Sequence, residues 1–323
     1  MDLNEIQLHM LESLMDGIPP DTIATKIEES GPNQGEALEH FGRVTRLAHA
    51  SGRRREASKD HAHWMAGVRR RLAHTAKLIH SVDYIDQDSF YRDFYRLNRP
   101  LLFSDVQFGT DVKFQSVWSF ERLKRQFGEI TLPVMRFRSP GQNVPLRGED
   151  SVENFGDFID EILTTTAHDL YLTPFNKAIF GPLGSIVQEL CPLPNILDAR
   201  CPLKSSLWLG PKGTISGLHN DTNNSILTQL LGSKRVLLFP PNDECFLYHD
   251  HTVWGSPVNA AAPDLEKYPL YRFSNPREVT LTAGSALFIP VGWWHFVESL
   301  SPSFSVSMAN FFAPNTYPEN MFG

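Results

Sequence analysis

Apolar and polar positions recur along this chain in two different rhythms. Up to about residue 80 the rhythm is helical: Leu3, Ile6, Met10 and Leu14 fall at the three-to-four spacing of one helix face, with Gly17 as a stop. Pro19-Pro20 and Gly31-Pro32 break the chain, a short helix carrying Ile23 and Ile27 lies between them, and further helices are predicted at about 36–49 and 61–79. Past residue 81 the texture changes. A buried strand with Pro at its entry is expected at 98–104, a helix at 118–127, a strand at 132–138, an amphipathic helix at 152–163 and a short strand at 169–173. From residue 205 the period drops to two, predicting strands at 206–210, 213–219, 226–231, 235–239, 278–281, 285–289, 295–299 and 303–312. Eight short strands parted by Gly/Pro turns predict a mainly β fold with a jelly-roll core at about 205–313 and flanking helices. The expected organisation is a helical docking or dimerising region over 1–80, followed by one domain over 81–323.

Composition adds exclusions. With 41% hydrophobic and 21% charged residues the chain reads as an ordinary globular protein, and no apolar run approaches a bilayer span. The N-terminus lacks the pattern of a secretory signal. Three cysteines without close spacing (Cys191, Cys201, Cys245) predict free thiols, and with them a cytoplasmic location rather than a disulfide framework. A net charge of −7 gives no global case for nucleic acid or membrane partners. The charge is uneven, however: positions 43–77 hold ten Lys/Arg against two acids, either a solvated basic face or a docking surface for an acidic partner.

Candidate chemistry lies in the strands. His219 and Asp221 are two residues apart, so on extended backbone both face one side. His295, 74 residues beyond Asp221 but on a strand of the same barrel, is the best third ligand. Two His and one carboxylate leave coordination positions open, the donor set of a non-haem Fe(II) oxygenase. Lys234 opens an apolar strand, where an ammonium is costly unless it meets an anion. A dicarboxylate chelating the metal at one end needs a cation at the other, and Tyr171 and Ser216 are candidate donors beside it, with Asn310 near the metal end. His61 and His63 read as a surface pair, and His249 with His251 as loop histidines. Trp293 and Trp294 read as wall packing, and Trp208, Trp254 and Tyr271 as rim residues by position.

These residues resemble the JmjC or cupin-like Fe(II)/2-oxoglutarate oxygenases, and most nearly the small hydroxylase branch that includes the asparaginyl hydroxylase inhibiting hypoxia-inducible factor and its arginyl and lysyl hydroxylase relatives. The text carrying the resemblance includes Arg99-Pro-Leu-Leu-Phe103, Leu170-Tyr-Leu172, His219-Asn-Asp221, Gly232-Ser-Lys-Arg-Val-Leu-Leu-Phe-Pro-Pro241, Pro263-Asp-Leu-Glu-Lys-Tyr-Pro269, Gly284-Ser-Ala-Leu-Phe-Ile-Pro-Val-Gly-Trp-Trp-His295 and Asn310-Phe-Phe312. The resemblance implies a double-stranded β-helix in which His219, Asp221 and His295 bind Fe(II). It implies that Lys234 and Tyr171 hold the distal carboxylate of 2-oxoglutarate, with Ser216 assisting, and that Asn310 lies beside the metal-bound end. The chain departs from the family at Ser225, where the resembling enzymes carry an Asn six residues after the first metal His; Asn224 or water is an alternative contact there.

The implied reaction consumes 2-oxoglutarate and O₂, releases succinate and CO₂, and hydroxylates an unactivated C–H bond. The first expectation is a peptide or protein side chain as substrate, docked on the basic N-terminal helices, which also offer a homodimer contact. Small-molecule hydroxylation, RNA-base hydroxylation, N-methyl demethylation and a non-catalytic metal-binding scaffold are the alternatives. A zinc hydrolase is disfavoured because no further carboxylate is placed as a base.

Overall fold

The computed structural model describes residues 79–106, 118–136, 149–165, 170–173, 183–186, 196–198, 205–249 and 255–315. The expected N-terminal helices, the basic segment, His61, His63, His251 and Trp254 lie outside the described residues.

The elements, in chain order, are β1 (His80–Val82), α1 (Gln87–Phe90) running into a π-helical stretch (Tyr91–Tyr95), β2 (Leu101–Phe103), α2 (Phe120–Phe127), β3 (Thr131–Arg136), β4 (Glu149–Asn154) and α3 (Phe155–Thr164). The core strands follow as β5 (Ser205–Gly210), β6 (Ile215–Asn220), β7 (Ser225–Leu231), β8 (Ser233–Phe239), β9 (Arg277–Thr282), β10 (Ala286–Ile289), β11 (Trp294–Ser299) and β12 (Ser303–Met308). Between β8 and β9, 3₁₀ turns form at Pro241–Phe246 and Pro269–Phe273. α1, α2 and α3 each start on a side-chain cap: Asp86, Ser119 and Asn154 accept from Ser89, Arg122 and Asp157 N–H respectively.

Two sheets face each other. One has six strands in the order β1-β2-β10-β7-β12-β5, the other four in the order β6-β11-β8-β9. The period-two pattern then sorts residues into layers. The outer face of the six-stranded sheet (Leu207, Leu209, Ile226, Phe288, Val306) packs against Phe90, Leu123, Phe158 and Ile162 from the helices. Between the sheets lie Trp208, Leu227 and Leu287 from one side and Val236, Leu238, Leu281 and Val297 from the other. The outer face of the four-stranded sheet (Leu218, Leu237, Phe239, Trp294, Phe296) is covered by Leu247, Val258 and Tyr271. This is the mainly β, two-sheet jelly roll expected from the strand pattern, and all eight core strands occur where the alternation places them.

Two local expectations change. The helix expected at 152–163 begins only at Phe155: Val152 is 74% exposed and pairs with Pro133 on β3, and Asn154 caps the helix behind it. The last strand ends at Met308 rather than 312, because Phe311 turns to bridge Leu197.

Candidate metal centre

Strands β6 and β11 carry the two imidazoles opposite one another, His219 paired with His295. The pairing slips by one residue between this rung and the next, where Ser216 faces Val297, so β6 spends three residues where β11 spends two. The extra residue creates a bulge at Gly217. Its carbonyl accepts from His219 Nδ1 at 2.7 Å, and the Trp293 carbonyl accepts from His295 Nδ1 at 3.1 Å. Each imidazole is thus fixed by the backbone two residues upstream, as the Nδ1–H tautomer with its Nε2 lone pair free for a metal.

Asp221 lies one residue beyond β6, between the two rings. His219 Nε2 is 3.8 Å from Oδ1 and His295 Nε2 is 3.8 Å from Oδ2, and the ring centroids are 4.1 Å apart. All three ligand atoms fall within 4.8 Å of one another. Donors 3.8 Å apart allow one ion to sit at a bond length of about 2.1 Å from both. Burial, reinforced by His219, pushes the His295 imidazole down to about 4 against the opposing pull of Asp221, so it is a neutral donor at neutral pH. The Asp221 side chain is 40% exposed against 7% for His295, which places the open side of the centre at the carboxylate. The residues fit a metal bound on one face by two imidazoles and one carboxylate.

Lys234 lies further along the same inner wall. It pairs with Ser299, Val236 pairs with Val297, and Leu238 pairs with His295, so the ammonium and the metal ligand share one face of β8 and β11. Four residues of strand separate the two rungs, about 13 Å. Lys234 is 1% exposed, and its Nζ meets Tyr171 Oη at 3.4 Å; no carboxylate pairs with it among the described residues. Tyr171 is held in place by reciprocal backbone bonds with Met135 and by the ring of Trp208 at 5.9 Å. Ser216, 5% exposed, faces inward between the metal rung and the lysine rung.

The remaining candidates divide. Asn310 donates its Nδ2 to the Asp198 carbonyl at 2.7 Å, and its buried Oδ1 has no hydrogen-bond partner among the described residues. Ser225 faces inward from the first position of β7, sharing a face with Leu227. Asn224 does not replace it: its Oδ1 accepts from Val291 N–H and its Nδ2 donates to Asn315 Oδ1, both at 2.9 Å. Trp293 and Trp294 are buried wall residues. Tyr271 is not a rim residue, being 7% exposed with its hydroxyl on the Ala260 carbonyl. Trp208 is half-buried at the edge of the inter-sheet cluster, its Nε1–H donating to Ser307 Oγ at 3.0 Å. His249 packs on Trp294 on the outer side of the four-stranded sheet and pairs with Glu244 at 3.1 Å, and among the described residues it belongs to no ligand cluster.

A polar strip on the inner face of β12 escaped the sequence reading. Ser303, Ser305 and Ser307 alternate with apolar residues; Ser303 bonds Ser299, Ser305 bonds Gln229 and Ser307 bonds Trp208. Serines at period two in an apolar strand were the available signal.

The cupin-like domain family matches residues 87–316. Among curated proteins, lysine-specific demethylase 8 of Danio rerio is 28% identical over 230 residues, covering 68% of this chain and 55% of that protein. Jumonji C domain-containing protein 5 of Drosophila melanogaster is 43% identical over 124 residues (38% of this chain, 31% of that protein), and HSPB1-associated protein 1 of Homo sapiens is 38% identical over 105 (31% and 22%). The chain spans about half or less of the length of these relatives. No helix among the described residues is long and apolar enough to cross a membrane.

Proposed function

Because the chain belongs to the cupin-like, JmjC-containing family, we propose that it is an Fe(II)- and 2-oxoglutarate-dependent hydroxylase acting on a peptide or protein side chain, as in the small hydroxylase branch. One observation carries this reading: a His–Asp–His cluster and a buried lysine that meets no carboxylate among the described residues share one inner wall, about 13 Å apart along the strands. A five-carbon dicarboxylate and a lysine side chain reaching back along the wall together fill that gap.

His219 and His295 would hold the iron through Nε2 and Asp221 through its carboxylate. The bound iron supplies the activation of O₂. Lys234 and Tyr171 bind the distal carboxylate by charge and hydrogen bond, and burial strengthens both contacts. Val236 and Val297 flank the methylenes and exclude water, while Ser216 adds a hydroxyl from β6. Asn310 would serve the metal-bound end only if its buried Oδ1, or an amide released from Asp198, turns to the ligand. The substrate enters at the exposed edge of Asp221.

The names of the Danio rerio and Xenopus tropicalis relatives, both lysine-specific demethylase 8, favour a second reading in which the hydroxylated carbon is an N-methyl group. Both readings require succinate release that depends on Fe(II) and 2-oxoglutarate. Turnover undiminished in a His219→Ala/Asp221→Ala protein would falsify both. Mass spectrometry then separates them: a peptide product that gains one oxygen supports hydroxylation, and one that loses a methyl supports demethylation.

A further inference from the structure

The metal loop has a support that none of the ligand residues supplies. Asn224 follows Asp221 by three positions and is 1% exposed. Its Oδ1 accepts from Val291 N–H at 2.9 Å, at the turn that leads into His295. In the same turn Gly292 N–H reaches the Asp221 carbonyl at 3.3 Å. Asn315, 8% exposed, arrives from the chain beyond β12. Its Oδ1 accepts from both the backbone N–H and the Nδ2 of Asn224, each at 2.9 Å. Its Nδ2 donates to the Asn224 carbonyl at 2.9 Å and to the Ala309 carbonyl at 3.0 Å. Three segments that are remote in sequence are therefore tied at one point: the Asp221 loop, the turn before His295 and the tail of β12.

Only primary amides serve both sides of this junction. Each side chain donates and accepts at once, so all the buried polar atoms involved are satisfied without a charge beside the metal site. We propose that Asn224 and Asn315 form a positioning clamp for the metal centre, setting the Asp221 carboxylate against the His295 imidazole so that the metal's third ligand is in place before the ion arrives. The proposal rests on the metal reading above and concerns binding rather than turnover. Preorganisation is the physical content: a free Asp221 loop would have to be ordered by the ion, and that ordering entropy would come out of its affinity.

The test is a titration of metal-free protein with Mn(II) alone, followed by calorimetry, in wild type, Asn315→Ala, Asp221→Ala and the double variant. Asn315→Ala is expected to weaken Mn(II) binding about 10-fold or more, the usual cost of losing an outer-sphere partner. In the Asp221→Ala background the same substitution is expected to have little further effect, because the clamp acts through Asp221. Asn315→Leu keeps the side-chain volume, removes both donations and adds no charge beside the metal site, and serves in place of Asn315→Ala if that variant does not fold. Unchanged affinity in a folded Asn315 variant overturns the clamp, as does an equal loss with and without Asp221, which is what a merely structural role gives. A wild-type protein that binds no Mn(II) overturns the metal reading itself and the clamp with it.

Discussion

Lys234 is the residue at which stability and function pull apart. Its ammonium is 1% exposed and meets the Tyr171 hydroxyl at 3.4 Å, so the ligand-free fold carries a desolvated charge that no carboxylate pairs with among the described residues. Replacing such a charge by an apolar side chain of similar volume removes its desolvation penalty and leaves no buried group unpaired. Lys234→Met is therefore expected to raise the melting temperature of the ligand-free protein by several degrees and to remove 2-oxoglutarate-dependent turnover. Thermal unfolding with and without 2-oxoglutarate checks both halves, because the co-substrate should stabilise wild type and leave the variant unmoved. A variant that melts below wild type and still responds to 2-oxoglutarate would contradict the assigned role. The sequence disclosed this residue because a lysine at the head of Val236 and Leu238 breaks the apolar rhythm. It could not disclose Asn224 or Asn315, which are loop amides by composition and acquire a role only when the fold brings residues 224, 291 and 315 together.

At the scale of the element, the bulge in β6 decides how His219 is held. Removing Gly217 would make β6 and β11 pair residue for residue between Ser216 and His219, with His219 still facing inward, because the bulge contributes one residue in excess. What disappears is the carbonyl that fixes Nδ1–H, the bond of 2.7 Å. Deletion of Gly217 should therefore leave the fold, seen by circular dichroism, close to wild type while metal affinity falls about 10- to 100-fold. An affinity equal to wild type would show that the bulge is incidental. The strands themselves were legible in the sequence, since period-two alternation bounded by Gly/Pro turns is set by burial on both faces of each sheet. The bulge was not, because Gly217 fits a regular strand equally well and only the partner strand reveals the surplus residue. The start of α3 was misplaced for a related reason: Val152 is apolar and fits the helical stripe, yet it points to solvent from β4, where pairing with β3 overrides its periodicity.

For the whole molecule, two charge distributions matter, one buried and one on the basic N-terminal segment. Asp243 sits under the cover of the four-stranded sheet, 5% exposed; burial pushes its carboxyl up to about 6, against the Asn275 N–H at 2.7 Å and the nearby Arg277. A carboxyl with a folded value above its unfolded one favours the fold in its protonated form. That contribution is complete below about pH 4 and is lost as the pH rises through about 6, a change on the order of 3 kcal/mol. Asp243→Asn keeps the acceptor for Asn275 and cannot ionise, so its stability relative to wild type should rise across that window, and a difference that stays flat with pH would refute the assignment. The second distribution is the run of ten Lys/Arg against two acids between positions 43 and 77, in a chain of net charge −7. If these residues dock an acidic peptide, substituting Arg53, Arg54 and Arg55 by alanine should raise the KM for that peptide and make it less sensitive to salt, since screening acts on the charges that were removed. The KM for 2-oxoglutarate and the kcat should stay at their wild-type values, because Lys234 and the ligands are contributed by the jelly roll. Equal losses for peptide and co-substrate would mean that the basic segment supports the fold, and a peptide KM that does not move would take the docking role away from it.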